Sequence, residues 1–177
     1  MPSPTFKYRR LTLEELKEVE PQFIRFLAAN GVPGEEWKRI LGEELERADQ
    51  LILEFSQVVF GSTLERIEYL QERKPNDLRT YACGPDLIRM NGLRIEGQTS
   101  LDLTDQNMPP SEMLQRLKTD GARVKLYSGE RPYRPHPNQT EPPENQPDRS
   151  FDLYRLMEAG ARISNGELFN TLEELKK

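Results

Sequence analysis

One cysteine and one histidine are all that the 177 residues offer to thiol or imidazole chemistry. A closed zinc site takes four ligands, commonly Cys or His, so Cys83 and His136 fall short of one, and no metal or other cofactor is expected. Cys83 has no partner for an internal disulfide, which fits a reducing compartment. It lies in a β-favouring run and reads as a small core residue rather than a nucleophile. A Ser-His-Asp arrangement would have to carry His136 from a proline-rich loop to the reaction centre, and none is expected. Glycine-rich phosphate loops of the Walker or Rossmann kind are absent too. No stretch approaches the roughly 18 consecutive apolar residues of a membrane span. The most apolar window, Leu51 to Leu70, is interrupted by Glu54, Gln57, Glu65, Arg66 and Glu68. The opening MPSPTFKYRRLTLEELKEVE lacks an apolar centre, so neither a secretory signal nor a transit peptide is expected. Cytoplasm is the expected location, and the NQT at 138–140 then means nothing as a glycosylation acceptor. Nor is there an excess of positive charge. Lys and Arg number 25 against 30 Asp and Glu, a net −5 that gives no global pull toward nucleic acid or an anionic membrane.

What is present is a chain of domain size in which 35% of residues are hydrophobic and 31% charged, enough for one core with some chain outside it. The first third reads as helical. Thr12-Leu-Glu-Glu15 has the form of a capping box, and Leu13, Leu16, Phe23, Phe26 and Leu27 recur at helical spacing. Pro21 predicts a kink or two abutting helices. Asn30-Gly31 and Pro33 end that segment, and a short helix around Trp37, Ile40 and Leu41 follows. Leu45, Ala48, Ile52, Phe55, Val59, Thr63, Ile67 and Leu70 then advance in steps of three or four. They predict one helix over about 43–73, continuous or bent at Gly61 and stopped by Lys74-Pro75-Asn76-Asp77.

From there the period changes. LRTYAC (78–83), DLIRM (86–90) and LRI (93–95) read as short strands separated by Gly84-Pro85 and Asn91-Gly92. PPSEMLQRLKTDG (109–121) reads as a helix and ARVKLYS (122–128) as another strand. Residues 129–150 hold six prolines among Asn, Gln and Glu and read as a stiff connector. FDLYRLMEAG (151–160) gives one more helix, and Ser164-Asn-Gly-Glu167 is a second capping-box pattern before a terminal helix. The expected fold is α+β: an N-terminal helical layer with one long helix, a small mostly antiparallel sheet of three or four strands, and two C-terminal helices. Its organisation is a body over 1–128, helical over 1–75 and strands plus one helix over 76–128. The connector over 129–150 and a helical pair over 151–177, docked on the body, complete it.

Candidate binding residues fall in two basic-aromatic patches. FKYRR supplies Lys7, Tyr8, Arg9 and Arg10; RPYRPH supplies Arg131, Tyr133, Arg134 and His136. Arginine beside an aromatic ring is what a phosphate or single-strand surface uses, although acidic residues close behind favour an ion-paired reading. Pro132-Tyr-Arg-Pro135 also fits a polyproline recognition element. Carboxylates at Glu14, Glu15, Glu18, Glu20, Glu43, Glu44 and Glu46 fall on polar helix faces. Asp102 and Asp105 in SLDLTD could hold Mg²⁺. No catalytic residue is assigned, and the reading leans away from an enzyme.

KYRRLT, FIRFLAANGVPGEEW, FSQVVF, IEYLQER and LMEAGARISNGELF together resemble a family of small bacterial proteins with no assigned function, from about Lys7 to the C-terminus. The resemblance implies a bacterial cytosolic protein and transfers no site residue. The functional expectation is a non-catalytic interaction module whose partner is another protein or a second copy. An RNA- or ribosome-associated factor is the alternative, a Mg²⁺-dependent enzyme using Asp102 and Asp105 the second, and no membrane partner is expected.

Overall fold

The computed structural model describes residues 6–137 and 146–176. Its chain divides into two compact units, Met1–Glu65 and Arg66–Lys177. Among the described residues there are seven helices and one five-stranded sheet, an α+β architecture.

In the first unit, the Thr12 hydroxyl accepts from the Glu15 backbone and the Glu15 side chain accepts from the Thr12 N–H, so the capping box starts α1, Leu13–Glu18. Pro21 lies in the first turn of α2, Glu20–Ala29, where its missing N–H costs nothing, and the two helices abut at Val19. Asn30 caps α2 and Gly31 takes the left-handed φ of 75° that turns the chain. Then come α3, Gly34–Glu43, and α4, Leu45–Glu65. Phe23 meets Phe55 at 5.0 Å and Trp37 edge-on at 5.1 Å, and these rings close over Leu27, Ile40 and Ile52. Residues 6–11 are laid along α4. Gln57 accepts from the Tyr8 N–H and donates to the Tyr8 carbonyl, both at 2.8 Å, while the buried Ser56 hydroxyl accepts from the Leu11 N–H.

The helix expected over 43–73 is shorter. It passes through Gly61-Ser62 without a break and ends at Glu65, and the remaining residues form a strand, β1, Tyr69–Lys74. YLQERK consists largely of good helix formers, but six cross-strand pairs with β2, Asp77–Cys83, decide its state. Pro75-Asn76 is the two-residue turn of that hairpin.

β2 pairs with β3, Leu87–Glu96, and β3 with β4, Arg123–Pro132. Asn91-Gly92 is thus inside β3 and not a turn, and β4 runs four residues past Ser128. A fifth strand, β5, Arg162–Ile163, pairs with Leu70 and Gln71; the order is β4-β3-β2-β1-β5, antiparallel throughout. The sheet therefore has five strands, one more than the upper expectation.

On one face, Leu78, Leu93 and Ile95 pack with α5, Pro110–Thr119, and α7, Glu167–Leu175, through Met113, Leu117, Leu168 and Leu172. Each fully buried leucine there contributes roughly 1.5–3 kcal/mol. The other face receives α6, Arg149–Glu158, through Arg131 and Asp152. The expected capping box at Ser164 does not form. Gly166, at φ 85° with the Tyr69 ring where a Cβ would sit, is the residue that precedes α7.

A polar cluster fixes α7. Buried Asn91 donates to Glu173 at 2.6 Å and accepts from Lys176 at 3.1 Å, and Arg89 donates to Glu173 at 2.8 Å. The Asn91 donor, with Lys176 and Arg89, holds the Glu173 carboxyl down to about 2, against about 4.3 for an ordinary glutamate. A depressed carboxyl stabilises the fold above its unfolded pKa, and that stability is lost as pH falls through the folded one. Between about pH 4 and pH 2, amide exchange over α7 should rise in the wild type and much less in Glu173→Gln. Equal pH dependence in both proteins would remove Glu173 from this role.

Candidate functional site

The sequence-derived patch at 7–10 lies in the first unit and is committed to it. Lys7 Nζ sits 5.5 Å from the Tyr8 ring centre, and Tyr8 is buried beside Phe60. Arg9 grips Glu15 with two bonds of 2.8 and 3.1 Å while covering Phe60, and Arg10 bonds Asp49 at 2.6 Å. The Arg9 fork holds Glu15 down to about 2.

The patch at 131–136 lies in the second unit and centres on Asp152, which is 4% exposed. Arg131 reaches it with two bonds of 2.6 and 3.0 Å, and the Arg134 N–H adds a third of 2.7 Å. Burial alone would raise the Asp152 carboxyl, but these donors outweigh it and leave it below the ordinary aspartate range. Tyr133 is buried and donates to the Gly84 carbonyl at 2.7 Å. The same carbonyl accepts from Arg149, which also spans the carbonyls of Ile67 and Cys83. His136 rests on Phe151, with ring centres 4.1 Å apart. A bridge between Pro135 and Pro147 closes this segment; residues 138–145, the middle of the expected connector, lie outside the described residues.

Around these groups the chemistry is structural in character. Cys83 is buried in β2 and desolvation pushes its thiol up to about 11, far from thiolate reactivity. Asp102 accepts from the Thr104 N–H and hydroxyl, and Asp105 from the Asn107 N–H, so both carboxylates shape turns in their own loop. Among the described residues no three His, Cys, Asp or Glu side chains gather as a metal site. Likewise, no helix among them is long and apolar enough to cross a membrane.

Two features were missed by the sequence reading. One is the outer edge of β4, which no strand pairs among the described residues. Beside it, Leu114, Leu117, Val124, Leu126 and Leu175 line a groove of about 270 Å³. Val124, Leu126 and Leu175 are 39%, 37% and 42% exposed. ARVKLYS was legible as a strand, but its place at the sheet edge is a property of topology. The second is a polar cavity at Arg73. That residue sits in a run read as helix, where a charged side chain signals nothing.

No curated protein and no solved structure is matched by the chain. Residues 6–177 match one family model, nearly the whole length, in agreement with the resemblance read from Lys7 onward. The chain thus belongs to the family of unknown function DUF6495.

Proposed function

We propose that the protein is a non-catalytic interaction module of the bacterial cytoplasm that takes up an extended segment of another protein along β4. The observation that carries this reading is the outer edge of a ten-residue strand, unpaired among the described residues and lying beside an apolar groove. An open edge offers N–H and C=O groups to an added strand, and flanking pockets select its side chains. On the groove face, Val124 and Leu126 call for apolar side chains. On the opposite face β4 presents Arg123 and Lys125, with Arg94 directly across from Lys125. Like charges set opposite each other are unfavourable until an acid comes between them. Because strand faces alternate, the fitting partner carries apolar and acidic residues in alternation.

A second copy fits this edge less well. A two-fold antiparallel pair keeps the faces of the two sheets together, so its centre falls on a residue. Centred on Tyr127 it sets Glu130 against Val124, and centred on Ser128 it sets Glu130 against Leu126, while Arg123 or Lys125 meets only Arg131, already held by Asp152, and no acid. Those are the registers that engage nearly the whole strand.

Titration with a synthetic peptide of alternating Val and Glu tests the reading. The expected result is protection of alternate β4 amides from hydrogen exchange, lost in Leu126→Lys and absent with a Val-Lys peptide. Sedimentation as a dimer through β4, or equal binding of both peptides, would overturn it.

A further inference from the structure

Within the sheet, Tyr127 of β4 lies across its direct partner Gly92 on β3, and its hydroxyl reaches on to Asp77 of β2 at 2.5 Å. A glycine in a strand leaves the backbone bare, and a ring from the neighbouring strand covers it. The Tyr69 ring fills the space beside Gly166 in the same way. β4 has a glycine of its own, Gly129, and a Cβ there would meet nothing within 4 Å. Gly129 pairs with Met90 and shares the odd positions of Tyr127 and Arg131, so it faces the side of the sheet that receives α6, away from the Val124 and Leu126 groove. On that side a pocket of about 360 Å³ opens at Gly129, lined by Tyr81, Ile88, Met90 and Leu156. Its charged groups favour neither sign: Arg131 is held by Asp152, and Arg134 and Glu130 bring one charge each. An uncharged side chain therefore suits it. A strand added to β4 would lie about 4.8 Å out and stand to Gly129 as β4 stands to Gly92.

We propose that the segment captured along β4 carries an aromatic residue opposite Gly129, its ring crossing the glycine into this pocket toward Met90. The inference rests on strand capture at β4 and adds the residue that sets its specificity, since buried rings dominate the energetics of such contacts. The fitting segment is thus acidic opposite Arg123 and Lys125, apolar opposite Val124 and Leu126, and aromatic opposite Gly129, with the acids and the ring on one face.

The peptides Trp-Thr-Thr-Val-Glu-Val-Glu and Glu-Val-Glu-Val-Thr-Thr-Trp place that ring for an antiparallel and a parallel strand respectively. Calorimetry with the full chain compares each with the peptide that has Thr in place of Trp. In one of the two orders, Trp should tighten binding by about tenfold and shift the Met90 methyl upfield through its ring current. Moving Trp by one residue turns it to the groove face and should abolish the Met90 shift. Gly129→Val puts a branched side chain where the ring would lie and suits a strand. It should lose the gain from Trp and keep its affinity for the Thr peptide; if it does not fold, the Met90 methyl reads the same contact in the unaltered protein. Equal binding of the Trp and Thr peptides in both orders, the same Met90 shift from the displaced Trp, or a gain that survives Gly129→Val would overturn the aromatic assignment and leave strand capture standing. No binding by any of the peptides would overturn both.

Discussion

Asp152→Ala should destabilise the 66–177 unit by about 3 kcal/mol, the order found when one partner of a buried ion pair is removed. The carboxylate is 4% exposed, whereas the Arg131 side chain is 32% exposed, so a guanidinium that swings out to water would reduce the loss. Three donors lose their acceptor together: both Arg131 nitrogens and the Arg134 N–H. The variant should show raised hydrogen exchange over 131–137 and α6 before the rest of the sheet opens. Asp152→Asn, which retains an acceptor but no charge, should fall between alanine and wild type. If Asp152→Ala unfolds in urea at the wild-type midpoint, this carboxylate is not what holds the segment. The same depression of the Asp152 carboxyl makes the tether acid-sensitive. It is complete above the unfolded aspartate value of about 3.9 and lost as pH falls below it.

Gly92→Ala should cost about 1–3 kcal/mol, against the usual direction of that substitution in a strand. A Cβ at Gly92 would lie 2.2 Å from Tyr127 Cζ, so the ring must leave its place on the sheet. With it go the Tyr127 hydroxyl bond to Asp77 at 2.5 Å, the Arg79 bond to that hydroxyl at 3.3 Å, and the stacking of Arg94. Once Tyr127 is removed, the collision disappears and only the lower conformational entropy of alanine remains. In a Tyr127→Ala background, Gly92→Ala should therefore become neutral or stabilising by up to about 1 kcal/mol. A double-mutant cycle by urea unfolding reads this directly. An alanine cost that persists without Tyr127 would show that the glycine is required for some other reason.

These two sites explain which parts of the fold could be read in advance. The first unit announces itself through local chemistry: Thr12 with Glu15, Pro21, and Asn30-Gly31 each act within one turn. Elements in the second unit are decided by distant partners. YLQERK becomes a strand because β2 and β5 flank it. Asn91-Gly92 looks like a turn, yet Asn91 is held by α7 and Gly92 by Tyr127 from the next strand. Ser164 fits a cap pattern that loses to a glycine with positive φ two residues later. For the candidate residues the outcome is similar. Arg131, Tyr133 and Arg134 do come together, on Asp152 and Gly84, but nothing near them in sequence names those acceptors. The β4 edge has no local signature at all, since an edge left unpaired among the described residues is defined by what fails to approach it.

The ladder between β3 and β4 pairs ten consecutive residues, from Leu87 with Pro132 to Glu96 with Arg123. Two of the side chains anchoring β4, Tyr127 to Asp77 and Arg131 to Asp152, occupy odd positions and face the same way. Losing or gaining a single residue between the strand's start and these anchors would turn both to the wrong side at once. Two residues would restore the facing but carry Tyr127 off its glycine. β4 therefore has a reading frame of its own, and a change of length within it is a harsher event than almost any change of letter.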